Sequence, residues 1–67
     1  MVDLELGEKI TFYRKNKHIS QEKFAELLNV SRQTVYKWEA SLNKPKIDKL
    51  QEIITLLEIS YDDLLGN

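Results

Sequence analysis

Apolar residues recur along this chain at spacings of three and four, in five separate runs. The runs are Leu6, Ile10 and Tyr13; Phe24, Ala25 and Leu28; Val35 and Trp38; Leu50, Ile53, Ile54 and Leu57; and Leu64 with Leu65. At about 100° per residue, such spacings bring each run onto one side of a helix. The first helix is predicted to start near Asp3 or Leu4 and to run to about Asn16. Ser20 is placed to cap a second helix over Gln21 to Leu28, Asn29 and Val30 form a turn, and Ser31 caps a third over Arg32 to Ala40. Ala40 to Lys46 is a loop, because Pro45 inside a helix would break it. A fourth helix covers about Ile47 to Leu57. Ser60 caps a short fifth helix, with Asp62 and Asp63 in the first turn, where the helix dipole favours acids, and Gly66 at its end. Leu64 and Leu65 return to the core. The pattern implies an all-α fold, a compact five-helix bundle forming one domain over residues 1–67.

The two capping serines stand so close together that the second and third helices must meet at a sharp αα corner, over about residues 20–41. Ala25 is small where those helices approach, and a larger side chain would push them apart. Gly7 falls inside the first helix at a cost of up to ~1 kcal/mol; close approach of another helix would account for it. Phe12, Leu27, Leu56 and Tyr61 lie off the stripes. They read as surface residues, or, for Leu56 and Tyr61, as part of a dimer patch.

The third helix has two different sides. Ser31, Val35 and Trp38 share one. Arg32, Tyr36, Ala40, Gln33 and Lys37 fall at about 0°, 40°, 80°, 100° and 140° on the other. One side is apolar and can bury. The other offers an Arg, a Gln and a Lys, side chains that hydrogen-bond guanine and adenine edges in a major groove. Thr34 sits on the flank.

Charge changes the picture only once it is mapped. The formal net charge is −1. Residues 9–46 hold nine bases against Glu22, Glu26 and Glu39, a balance of +6, whereas residues 1–8 carry −3 and residues 47–67 carry −4. The basic block contains the corner, as expected for a nucleic-acid surface, although lysine-rich solvated helix faces would give the same count. The chain is short, 67 residues, and should bury only roughly 60% of its unfolded surface. It has no Cys, so neither a disulfide scaffold nor a thiolate metal site is available. His18 is the sole histidine, and no second His or Cys exists to complete a metal or acid–base site around it. There is no long apolar run and no basic leader, so neither a membrane span nor a signal peptide is expected, and the protein is expected to be cytoplasmic.

The corner resembles the helix-turn-helix of the phage-repressor transcriptional regulators (Cro/C1-type, or Xre family), whose fold is the lambda-repressor-like DNA-binding domain. Ser20-Gln21, Phe24-Ala25, Leu28, Val30 to Val35 and Lys37-Trp38-Glu39 carry the resemblance. It continues through Ile10 and Tyr13-Arg14, and through Pro45, Ile47, Leu50, Ile53, Leu57 to Ser60 and Asp62 to Leu65. It implies that Arg14 pairs with Glu39 and so ties the first helix to the third. It implies that His18, Asn29 and Ser41 stand at positions where the family prefers glycine: His18 as a left-handed cap that closes the first helix, Asn29 as a left-handed turn tolerated at some cost, and Ser41 as a departure that leaves the path of the following loop unspecified. It also implies that the start of the second helix and the loop before the fourth grip phosphates, here Ser20 and Gln21 on one side and Asn43 and Lys44 on the other, with Thr34 a further phosphate contact.

Sequence-specific binding of double-stranded DNA is therefore the expectation, with transcriptional regulation, as a repressor, its consequence. The third helix enters the major groove; Arg32, Gln33 and Lys37 read bases, and Tyr36 contacts a thymine methyl or the backbone. No cofactor and no catalysis are expected. One module presents a single short helix, a small interface for tight binding, so a homodimer on an inverted repeat is expected. Its contact should come from the acidic end, with Tyr61 as anchor and Leu56 or Leu65 beside it. Two alternatives share the fold: a protein-interaction module served by Leu27, Leu56 or Phe12, and the DNA-reading part of a longer sensor, for which no ligand-sensing part is expected within this sequence.

Overall fold

A computed structural model describes residues 5–66. Five helices follow one another: α1 over Leu6–Asn16, α2 over Gln21–Leu28, α3 over Arg32–Glu39, α4 over Ile47–Leu57 and α5 over Tyr61–Leu65. Three of the N-caps are those the sequence signals. Ser20 Oγ accepts from the Lys23 N–H, Ser31 Oγ from the Thr34 N–H and Ser60 Oγ from the Asp63 N–H, each satisfying a donor that the first helical turn leaves free. Asp63 returns a bond to the Ser60 N–H at 3.0 Å, closing a reciprocal box.

Some boundaries differ. Glu5 is extended and caps α1, so the helix starts at Leu6; the expected starts at Asp3 and Leu4 lie outside the described residues. Helix α3 stops at Glu39, with Ala40 beyond it. Helices α1 to α4 are each followed closely by a non-glycine residue in the left-handed region: His18, Asn29, Ser41 and Glu58, at φ between 57° and 61°. His18 and Asn29 are the expected sites, and Ser41 stands where the family prefers glycine. Glu58 is not an expected site, and no local side-chain signal marks it.

The core is assembled from the inward stripes: Ile10, Phe24, Ala25, Leu28, Val35, Trp38, Ile53, Ile54, Leu57 and Leu64. Helix α3 packs on both α1 and α2, α5 closes on α1, and α4 leans on α2. Two lysines fasten the ends. Lys49 Nζ donates to the Leu28 carbonyl at 2.7 Å, where α2 has spare acceptors. Lys9 Nζ donates to the Gly66 carbonyl at 2.8 Å. Leu65 does not join the core. Neighbouring residues on a helix point about 100° apart, and Leu64 takes the inward place, leaving Leu65 44% exposed. Leu56, by contrast, is half-buried against the core.

Candidate nucleic-acid interface

Helix α3 is held by two residues. Val35 and Trp38 are buried, locking its rotation against α1 and α2. With that side fixed, Arg32, Gln33, Tyr36 and Lys37 all face solvent, and Tyr36 is 55% exposed. Among the described residues none of these four side chains has a hydrogen-bond or ion-pair partner, so their polar ends are available to a ligand. Thr34 is half-buried, and its hydroxyl lies 2.8 Å from Ser31 Oγ, inside the cap. Its expected phosphate contact would have to share that hydroxyl.

Next to this face lies a buried charge network. Arg14 Nε donates to Glu39 Oε2 at 2.7 Å and Arg14 Nη2 to Glu39 Oε1 at 3.1 Å, a two-pronged pair whose side chains are only 9% and 7% exposed. Arg14 Nη1 donates to the Ile19 carbonyl at 2.7 Å. Burial by itself would raise the Glu39 carboxyl, but hydrogen bonds from Arg14 and Gln21 and the Arg14 charge outweigh it and hold the group below the ordinary glutamate range. The pair therefore ties α1 to α3, as the resemblance implied. Gln21 departs from its simple assignment as a phosphate contact: its Nε2 donates to Glu39 Oε1 at 3.0 Å, and the side chain is half-buried.

Ser20, Asn43 and Lys44 are exposed. Ser20 already uses its hydroxyl oxygen in the α2 cap, while the Asn43 and Lys44 side chains, in the loop between α3 and α4, have no hydrogen-bond or ion-pair partner among the described residues. The same loop shows what sequence reading passed over. Leu42 and Ile47, 66% and 63% exposed, are the most exposed large apolar side chains among the described residues and bracket the Asn43 to Lys46 stretch. The available signal was two apolar residues flanking a Lys-Pro-Lys segment that no helical stripe includes. Of the residues expected at a dimer contact, Tyr61 is exposed on α5, Leu65 borders a depression of about 590 Å³ with Trp38 and Pro45, and Leu56 borders a separate groove with Leu27 and Thr55. His18 is exposed and left-handed just after α1, the cap role expected of it. Among the described residues no His, Cys, Asp and Glu group could hold a metal ion, and no helix is long and apolar enough to cross a membrane.

Comparison with known proteins places this geometry. The sequence matches the helix-turn-helix family over residues 10–64. It is 36% identical over 63 residues to the HTH-type transcriptional activator BcrR of Enterococcus faecalis, covering 94% of this chain and 31% of that protein, so the chain spans about a third of the length of the curated relative it matches. Two solved structures superpose closely. One is the P22 c2 repressor in complex with synthetic operator 9T, with TM-score 0.87, 27% identity, and coverage of 97% of this chain and 100% of that one. The other is SinR, a master regulator for biofilm formation, in complex with DNA, with TM-score 0.83, 31% identity, and coverage of 91% and 98%. The matched region takes in the capped corner, the Arg14–Glu39 tie and the polar face of α3, and the chain belongs to the helix-turn-helix family, as a Cro/C1-type domain of DNA-binding transcriptional regulators.

Proposed function

We propose that residues 1–67 form one DNA-reading domain that binds an inverted-repeat operator in double-stranded DNA as a homodimer, with α3 in the major groove. The observation that carries this reading is the exposed, unpartnered row of Arg32, Gln33, Tyr36 and Lys37 on a helix whose other side is locked by Val35 and Trp38. Arg32, Gln33 and Lys37 read base edges and Tyr36 meets a thymine methyl or the sugar-phosphate. Ser20, Gln21, Thr34, Asn43 and Lys44 set the register on phosphates, helped by the free N–H groups at the start of α2. The chemistry is binding, without catalysis or cofactor, and its place is the cytoplasm. The named relatives include a repressor and an activator; repression by occupancy of an operator needs nothing beyond the binding proposed here. Selection of bound duplexes from a random pool tests the whole reading. Recovery of a consensus with two-fold symmetry supports it, and a pool that stays random overturns it.

Readout and grip should separate by mutation. Gln33→Ala should lower specific affinity by about 1–3 kcal/mol and leave random-sequence binding nearly intact. Lys44→Ala should weaken all sequences alike and reduce the salt slope by about 1. Salt titrations on selected and random duplexes check both, and identical profiles for the two variants would refute the division.

The dimer rests on symmetry. Two recognition helices related by a two-fold axis must lie about 34 Å apart, so half-site centres fall about 10 base pairs apart or at a multiple of that. Tyr61 anchors the contact with Leu56 or Leu65 beside it. Glu58, Asp62 and Asp63 repel across the axis, so the free dimer is weak and DNA completes it. Tyr61→Asp should abolish cooperative filling of two half-sites while leaving folding and single half-site binding unchanged. Analytical ultracentrifugation with and without operator follows the change, and intact cooperativity would place the contact elsewhere.

A further inference from the structure

We infer that the depression between α1, α5 and the α3–α4 loop is a site for a small carboxylate with an apolar tail, and that the bound carboxylate withdraws Lys44 from DNA phosphate. Only the second half rests on the DNA-binding reading above. The depression measures about 590 Å³, within the range of small-molecule sites. Its inner surface is apolar, made by the buried Trp38, Pro45 and Leu64 and the half-buried Leu6 and Leu50. Two bases line it, Lys9 and Lys44, against one acid, Glu5. A second groove, beside Leu27 and Leu56, has the acids Asp48 and Glu52 among its lining residues and no base. A basic rim on an apolar surface therefore distinguishes the first from the second.

The apolar wall takes a hydrocarbon chain out of water, with a gain proportional to the area covered. The lysines select the charge of the ligand's polar end. Lys9 Nζ gives one hydrogen to the Gly66 carbonyl at 2.8 Å and retains two. Lys44 is exposed in its loop, has no hydrogen-bond or ion-pair partner among the described residues, and retains all three. A carboxylate accepts from an ammonium through charge-assisted bonds, which are about twice as strong as those of a neutral hydroxyl. Lys44 also belongs to the loop proposed to grip phosphate. One ammonium cannot fully neutralise both the ligand and a DNA phosphate, so the two compete for it. Trp38, in the last turn of α3, and Ser41, at the start of that loop, line the same depression. The ligand thus sits against the end of the helix that carries the base readers.

Octanoate, with octanol as its neutral counterpart, tests the inference. Trp38 is the sole tryptophan, so its fluorescence reports on the depression directly and without DNA. Octanoate should change that emission saturably, with half-saturation at or below about 1 mM. Octanol should bind roughly tenfold more weakly. Lys44→Met and Lys9→Met keep an apolar stem and remove the charge. Each should stay folded by circular dichroism and bind octanoate roughly three- to tenfold more weakly, whereas Lys15→Met, elsewhere on α1, should bind it as the unsubstituted protein does. On a labelled duplex of mixed sequence at about 0.1 M salt, saturating octanoate should lower affinity roughly five- to tenfold and reduce the salt slope by about 1. Lys44→Met should abolish that response. Emission that ignores octanoate, or that responds alike to octanol and in Lys44→Met, overturns the site. Emission that changes on dilution of the protein alone, and no further with octanoate, assigns the depression to a second copy and overturns the site as well. Saturable octanoate binding with unchanged duplex affinity overturns the competition and leaves the DNA reading intact. Absence of salt-dependent duplex binding by the unsubstituted protein overturns the DNA reading, while the fluorescence result still decides the site.

Discussion

Glu39→Ala is expected to destabilise the fold by about 3–5 kcal/mol, because it strands the Arg14 guanidinium in a buried site without its partner. Arg14 keeps only the Ile19 carbonyl, and Gln21 loses the acceptor of its amide. Domains of this kind are stable by roughly 5–15 kcal/mol in total, and a chain this short sits toward the lower end, so much of the folded population is at stake. Arg14→Ala should cost a comparable amount, and the double variant much less than the two together, since the groups form one unit. Urea unfolding of the three variants measures this. Additive losses below about 1 kcal/mol would mean that the pair behaves as an exposed one.

The same pair makes the fold acid-sensitive. Glu39 is held below its ordinary value of 4.5 in the folded state. Its contribution is therefore complete above that value and is lost as pH falls through it toward the lower folded value. Glu39→Gln should flatten that part of the acid-unfolding profile.

Gly7→Ala should also destabilise the protein, by about 1–3 kcal/mol, against the preference of a helix for alanine. A Cβ at this position would lie 2.4 Å from the Trp38 carbonyl oxygen, 2.7 Å from that of Glu39 and 2.9 Å from Ser41 Oγ. Two of these atoms are backbone at the end of α3, which cannot rotate away like the tip of a side chain. Relief requires α1 to move off α3, and that movement pulls at Trp38 and at the Arg14–Glu39 bonds. The helix-propensity gain of up to ~1 kcal/mol is too small to offset the overlap. For a domain of this size a loss of about 2 kcal/mol lowers the melting temperature by roughly 8–16 °C. A raised melting temperature would show that the α1–α3 approach is looser than described. The glycine looked like a local weakness in the sequence; the contact with α3 is its reason.

The sequence by itself determined the elements, the face of each helix that buries, and the cap residues, because these depend on groups three or four residues apart. Ser20, Ser31 and Ser60 bind the N–H groups three residues on, and Val35 and Trp38 mark the inner side of α3 by spacing alone. That spacing also left Arg32, Gln33, Tyr36 and Lys37 outward, so the candidate reading face was legible. The Arg14–Glu39 tie was available only through family resemblance, since 25 residues separate the two and no local pattern links them. Tertiary structure alone decided the rest. It moved Gln21 from a free phosphate ligand to a partner of Glu39 and gave Gly7 its neighbour. It turned Leu65 outward in favour of Leu64 and exposed Leu42 and Ile47 beside the basic loop. The reason is physical: periodicity says which residues can share a face, but which faces meet, and which donor finds which acceptor across 18 or 57 residues of chain, is fixed only when the helices pack.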